Sequence, residues 1–384
     1  MNVKLMNYKI FYLSGLMVFY TVLLPGQVSV RIFAGQDPIS AVFNVTEGEY
    51  EIDHGAGGKL AVQKDTPVII SKYNGRLAVK LMNDDGFVCD SVLISGNTGR
   101  DLFSLRINGN FSARQYYSGD LKCFPDLGRL VLINNCSIDD YIGGVVRTEG
   151  GQGKNLEYLK SQAVIARTYM YKYFDKHISD GYNLCDDTHC QAFNGVSSDT
   201  LVTQATMQTK GLVILGPDST LIISAFHSNC GGETSPPENV WLSGQPYLKK
   251  VFDKYCISSP NARWRKTLSI SDWTASLKNA GLTAVPADLS LLNFSQITRQ
   301  NDYRIGIFTV PLRQLRSDLN LRSTFFSVKV EGTMVVLSGR GYGHGVGLCQ
   351  EGAMVMASKG FNFIQIINYY YQGVIVTDIK NAVK

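Results

Sequence analysis

The chain is poor in histidine and carries no low-complexity tract and no internal repeat. Its 5 histidines are followed by Gly, Ile, Cys, Ser and Gly, never by Glu. The His-Glu-x-x-His helix, through which many zinc hydrolases hold both metal and base, is therefore absent. Strong charge of one sign is also lacking: a formal net charge of +5 over 384 residues is spread along the chain and argues against a dedicated nucleic-acid binder. Long apolar runs are confined to Ile10–Leu24, behind Lys4 and Lys9 and ahead of Pro25-Gly26. Such a run is short for a bilayer span and suits the core of an export signal. Export is expected, with an uncleaved anchor or a buried first strand as the alternatives. No cysteine lies near residue 27, which argues against a lipid anchor.

With 45% apolar residues the chain can bury a full core, in one large or two modest domains. From Val28 to Asn134, short β-branched and aromatic runs (Val28–Phe33, Pro67–Ser71, Arg76–Leu81, Phe103–Ile107) alternate with Gly, Asn and Asp turns, as strands do. The clearest helix spans Asn155 to Phe174, with Asn155 as N-cap and Leu156, Leu159, Ala163, Ala166, Met170 and Phe174 on one stripe. Hairpins are expected at 212–225 and 325–338, and helices at Ser271–Ala280, Ala353–Gly360 and Phe361–Tyr371. The sum is an α+β fold, helices packed on antiparallel sheet. The expected division is 1–28 as signal or anchor, 29–135 as a β-rich part and 136–384 as the core.

Gly339-Arg340-Gly341-Tyr342-Gly343-His344-Gly345-Val346-Gly347-Leu348-Cys349-Gln350-Glu351-Gly352-Ala353 is the most informative stretch. Alternating glycines let backbone and a few polar side chains approach a ligand closely, although a tight turn needing positive φ explains them equally well. The stretch lacks the Gly-Lys-Ser/Thr ending of a phosphate loop. Glu149 ends the apolar run Ile142–Val146 and enters a glycine segment. Desolvation of such a carboxyl raises its pKa and suits a general acid, whereas the plain reading is a helix-entry glutamate. Arg167 falls inside the apolar helix stripe, where a guanidinium needs a polar or anionic partner.

Eight cysteines allow up to four disulfides in an exported chain, and disulfides are the favoured reading. The alternative is a zinc site drawn from Cys185, His189, Cys190, His227 and Cys230. Gln191 and Ser228 would add polar groups to that pocket or to a substrate wall. Cys349, between apolar neighbours, reads as buried and inert.

Several motifs in one order resemble the SpoIID/LytB family. They are Tyr141 to Glu149, Ser161 to Tyr169, Gln204 to Gly211, Ser228 to Thr234, Trp241, Pro246 to Lys249, the glycine stretch through Ala353, and Asn368 to Gly373. The resemblance implies a peptidoglycan lytic transglycosylase, with Glu149 as catalytic acid in cleaving MurNAc-β-1,4-GlcNAc bonds of strands without stem peptides. It implies substrate-binding roles for Arg167, Tyr247 and Lys249, the arginine reaching Glu149 through substrate or water. His344 and Gln350 are expected on the same groove, with His344 alternatively bracing its own loop. Trp241 is a second sugar platform or a core residue. The family's usual Glu-Met-Pro is here Glu149-Gly150-Gly151, a departure at the acid itself. No cofactor is required, zinc being the one candidate. Expected partners are glycan strands and an N-acetylmuramoyl-L-alanine amidase, with no nucleic acid, and a membrane only through the N-terminal segment. The rival reading is a non-catalytic amidase enhancer.

Overall fold

A computed structural model describes residues 26–382, apart from 56–57, 82–84, 100, 109–112, 152–153 and 241–242. The N-terminal apolar run and Trp241 lie outside the described residues. The fold is α+β, with several antiparallel sheets and seven helices among the described residues.

Residues 27–137 form two sheets. One orders Leu184–Cys185, Gln27–Ile32, Arg129–Ser137, Asp120–Asp126, Val92–Gly96, Tyr50–Asp53 and Lys59–Val62, with only the first pairing parallel. The other orders Gln115–Ser118, Leu102–Ile107, Ser40–Glu47, Val68–Tyr73, Arg76–Leu81 and Phe87–Cys89, all antiparallel. Period-two burial explains the pattern: Ala41, Phe43 and Val45 point inward while their neighbours stay partly exposed. Phe43, Phe103, Tyr50 and Tyr117 stack between the sheets, with ring centroids 4.8 Å apart for Phe43 and Phe103.

The last strand, Arg129–Ser137, runs straight into helix α1, Ile138–Val145, whose N-cap Ser137 accepts from Asp140 N–H. Helix α2, Leu156–Lys172, begins at Asn155 as expected, the Asn155 side chain accepting from Glu157 N–H at 2.9 Å. Helices α3, Thr200–Gln208, α6, Gln350–Ser358, and α7, Phe363–Tyr370, pack against α2. These helices and both sheets share one hydrophobic core.

Residues 263–340 are built around a second core of their own. A three-stranded sheet (Arg263–Ser269, Met334–Arg340, Phe326–Glu331) packs with helices α4, Ile270–Asn279, and α5, Leu312–Asp318, around the fully buried Trp273. This second core lies within the stretch 136–384. Two local expectations also change. The strand Leu212–Leu215 pairs chiefly with Ile375–Asp378, and residues 220–225 reach it only through the Leu215–Leu221 bridge. Helix α4 begins one residue before the expected Ser271, because Ser269 is the residue whose hydroxyl accepts from Asp272 N–H and caps it. No helix among the described residues is long and apolar enough to cross a membrane.

The separate core makes a local prediction. Trp273→Ala should cost about 3–5 kcal/mol and raise amide exchange mainly within 263–340. Equal loss of protection in the two large sheets would refute the independence of that core.

Candidate catalytic groove

Helix α1 does not end at a glycine cap but widens into a π-helical turn, Val146–Gly150. Such turns are rare and favour functional positions, because the extra residue redirects a side chain. Here the redirected residue is Glu149, half-buried, with Oε1 accepting from Ala192 N–H at 2.9 Å. Burial pushes its pKa above the ordinary glutamate value, and the Ala192 bond offsets part of that rise.

The segment around Ala192 is clamped onto the turn along its length. Asn194 carbonyl accepts from Arg147 Nη2 at 2.5 Å, and Val196 N–H donates to Tyr116 carbonyl at 2.8 Å. Phe193 packs on Tyr141, ring centroids 5.1 Å apart. Gly144 permits this approach: a Cβ there would meet Gly195 O at 2.3 Å and the Phe193 ring at 2.4 Å.

The glycine stretch arrives from the other side. Leu348–Cys349 pairs in parallel with Phe226–His227, and Gly347 at φ +73° passes so close to Ala225 O that a Cβ would lie 2.0 Å away. Gln350 opens α6, three residues earlier than the apolar pattern indicated, and its Nε2 donates to Glu149 carbonyl at 2.8 Å. His344 Nδ1 accepts from Val346 N–H at 3.0 Å, so this ring braces its own loop. His227 lies edge-on to it, 5.5 Å between centroids, and donates through Nδ1 to Val346 carbonyl. Burial holds both imidazoles neutral at pH 7, lowering His344 to about 4.

Beside the π turn lies an open cleft of about 370 Å³ lined by Arg114, Gln115, Tyr116, Arg147, Thr148 and Asn194. Two guanidinium groups and the 47% exposed Tyr116 ring suit an anionic sugar chain. Arg114, Tyr116 and Arg147 escaped the sequence reading, since Tyr116 sits on an edge strand whose alternation signals only a sheet.

Other expected site residues land elsewhere. The structure does not bring Arg167 to Glu149. It is 1% exposed and donates to the carbonyls of Thr206, Thr209 and Leu212, tying the end of α3 to α2. Both terminal nitrogens of the guanidinium that periodicity marked as anomalous are thus bonded, to backbone rather than an acid or a sugar, while its Nε has no hydrogen bond among the described residues. Tyr247 is buried as well, its hydroxyl accepting from Ile223 N–H at 2.9 Å, so the ring is packed rather than offered as a platform. Lys249 is exposed.

The proposed metal ligands separate. Cys185, His189 and Cys190 cluster with His177, which the sequence reading missed because it lies outside the Cys185–Cys190 bracket. Cys190 Sγ lies 3.5 Å from His177 Nε2, and Cys185 Sγ 3.7 Å from His189 Nδ1. Two thiols and two imidazoles fit a closed zinc set, which would fix the chain two residues before Ala192. His227 and Cys230 are not part of it: His227 faces His344, and Cys230 lies against Asp253, Cys256 and Cys349. All eight cysteines are free in this structure, which contains none of the disulfides expected from the sequence. The thiols at 185 and 190 contact each other and the imidazoles of His177 and His189. Cys349 is buried in the shared hydrophobic core, with two sulfurs and a carboxylate also within reach.

The fold and groove define an α+β protein that presents one half-buried glutamate beside a basic cleft. The family model described as stage II sporulation protein matches residues 126–215. Stage II sporulation protein D of Bacillus subtilis is 30% identical over 64% of this chain and 76% of its own length. The amidase enhancer of Bacillus subtilis is 28% identical over 61% of this chain, which covers 40% of that relative. An uncharacterised protein of Brachyspira hyodysenteriae is 26% identical over 93% of this chain and 97% of its own. The chain belongs to the SpoIID/LytB family.

The buried acid makes a pH prediction. The folded-state pKa of Glu149 is raised, so the native state is penalised as pH climbs from the unfolded pKa, about 4.3, through the folded one. Glu149→Gln should therefore raise the thermal midpoint at neutral pH and leave it unchanged well below that window. A midpoint gain of equal size at both pH values would contradict a raised pKa.

Proposed function

We propose that the protein is a peptidoglycan lytic transglycosylase, exported by its N-terminal segment, that cleaves MurNAc-β-1,4-GlcNAc bonds in strands without stem peptides. One observation carries the reading: a glutamate with a raised pKa on a π turn, next to a basic cleft whose lining among the described residues includes no carboxylate. A two-carboxylate hydrolase needs a second acid to activate water or attack the sugar. One-acid chemistry needs none.

In that chemistry the Glu149 carboxyl donates its proton to the glycosidic oxygen as the C1–O4 bond breaks. The resulting carboxylate then takes the proton of the muramic C6 hydroxyl while O6 bonds to C1, closing a 1,6-anhydro ring and restoring the acid. Ala192 N–H and the Gln350–Glu149 bond hold the turn in place through both steps. Arg114 and Arg147 are positioned to bind carboxylates of the muramic lactyl groups.

A second reading is favoured by the likeness to a protein named amidase enhancer and by the Gly150-Gly151 that follows Glu149. In it the same cleft holds glycan for an N-acetylmuramoyl-L-alanine amidase and cleaves nothing.

Mass spectrometry of stripped glycan strands decides between them. Anhydro-muramic ends are expected with the native chain and should vanish with Glu149→Gln, while glycan retention survives. Retention without any cleavage by the native chain would select the amidase-enhancer reading. Cleavage by Glu149→Gln at the native rate would remove Glu149 as the acid. Charge reversal in the cleft, Arg114→Glu with Arg147→Glu, should weaken glycan binding at least tenfold, about 1.4 kcal/mol, with increasing salt narrowing the difference.

A further inference from the structure

Three segments converge at the C-terminal part of the glycine stretch, and none of their residues lines the cleft described above. They are the bend at Cys230, the loop carrying Asp253 and Cys256, and Cys349 at the start of α6. The ligand atoms of these four side chains all lie within 4.8 Å of one another. Cys230 Sγ is 3.3 Å from Cys256 Sγ and 3.4 Å from Asp253 Oδ2. None is more than 1% exposed. An aspartate buried among three thiols is costly without a cation to hold it.

The surroundings are arranged for thiolates and a bound carboxylate. Cys230 N–H points at Cys349 Sγ and Gly232 N–H at Cys256 Sγ, each at 3.3 Å, donors that favour charged sulfur. Asp253 Oδ1 accepts from Tyr255 N–H at 2.8 Å and Oδ2 from the Tyr370 hydroxyl at 3.0 Å, fixing the carboxylate from behind as outer partners of a metal ligand do. Helix α6 passes so close that a Cβ at Gly352 would lie 2.2 Å from Asp253 Oδ2. The buried Arg299, donating to Cys230 carbonyl at 2.7 Å, adds a positive charge against the cluster.

We propose that Cys230, Asp253, Cys256 and Cys349 form a closed structural site for a thiophilic divalent ion, with Zn²⁺ the natural occupant. Three sulfurs and one oxygen complete a tetrahedral shell and leave no position for substrate. Binding releases the thiol protons to solvent and welds the three segments together. The site shares no ligand with the His177, Cys185, His189 and Cys190 set. Its role is to fix the residue before Gln350, whose amide holds the Glu149 turn.

The test uses the full chain, stripped with a chelator under reducing conditions and reloaded with Zn²⁺. In the double variant Cys185→Ser/Cys190→Ser the other ligand set is disabled. One zinc equivalent should remain, with three sulfur neighbours and one oxygen by X-ray absorption, and adding Cys256→Ser should abolish it. Should a variant fail to fold, the reloaded native chain serves: an average above two sulfurs per zinc supports the site, and two or fewer overturns it. The proposal is also overturned if the double variant binds no zinc, or if native mass shows a Cys230–Cys256 disulfide that persists alongside undiminished thermal stability.

Discussion

Everything about the groove depends on one join: the Gln350 amide holding the Glu149 carbonyl across 201 residues of sequence. It carries the end of the glycine stretch onto the π turn, so the two most distinctive segments of the chain meet at a single point. The Ala192 amide closes the third side by binding the Glu149 carboxylate. Each is one hydrogen bond, worth about 1 kcal/mol in net stability, yet together they define where the acid points. Larger forces create the opportunity: α1, α2, α6 and α7 are held by the shared hydrophobic core.

The groove is therefore a seam between packed elements rather than a loop laid on a surface. Close backbone approaches run along it, at Gly144 against Gly195 and at Gly347 against Ala225, and each removes a side chain that would force the seam apart. Two clusters of soft ligands flank the seam. One, at His177, Cys185, His189 and Cys190, precedes Ala192. The other, at Cys230, Asp253, Cys256 and Cys349, precedes Gln350. Both residues whose amides hold Glu149 thus lie within two positions of a thiol of such a cluster, a regularity that joins the chemistry of the cysteines to the placement of the acid.

Buried charge is used in two different ways. Glu149 is only half-buried, and its desolvation shifts a pKa in the direction proton transfer requires. Arg167 is wholly buried, and its terminal nitrogens donate to three carbonyls between the end of α3 and the strand Leu212–Leu215. Glu149 stood out as a carboxyl at the edge of an apolar run and Arg167 as a charge inside a helical stripe, and their partners in the fold differ accordingly. His227 shows the same division: its proximity in sequence to Cys230 suggested a ligand, whereas its ring supports His344.

By itself the sequence determined the strands near Val28–Phe33, Pro67–Ser71, Arg76–Leu81 and Phe103–Ile107, the helix capped by Asn155, the α+β class and the family, because these rest on local pattern and on motif order. It also marked Glu149, since a carboxyl at the edge of an apolar run is a local signal. What only tertiary structure decided were the partners: the pairing of Leu212–Leu215 with the C-terminal strand, the separate core around Trp273, the inward burial of Arg167 and Tyr247, and the sorting of cysteines into two clusters. The physical reason is distance along the chain. Hydrogen bonds and thiol contacts reach about 3–4 Å in space, and a sequence records only what lies within a few residues of each group.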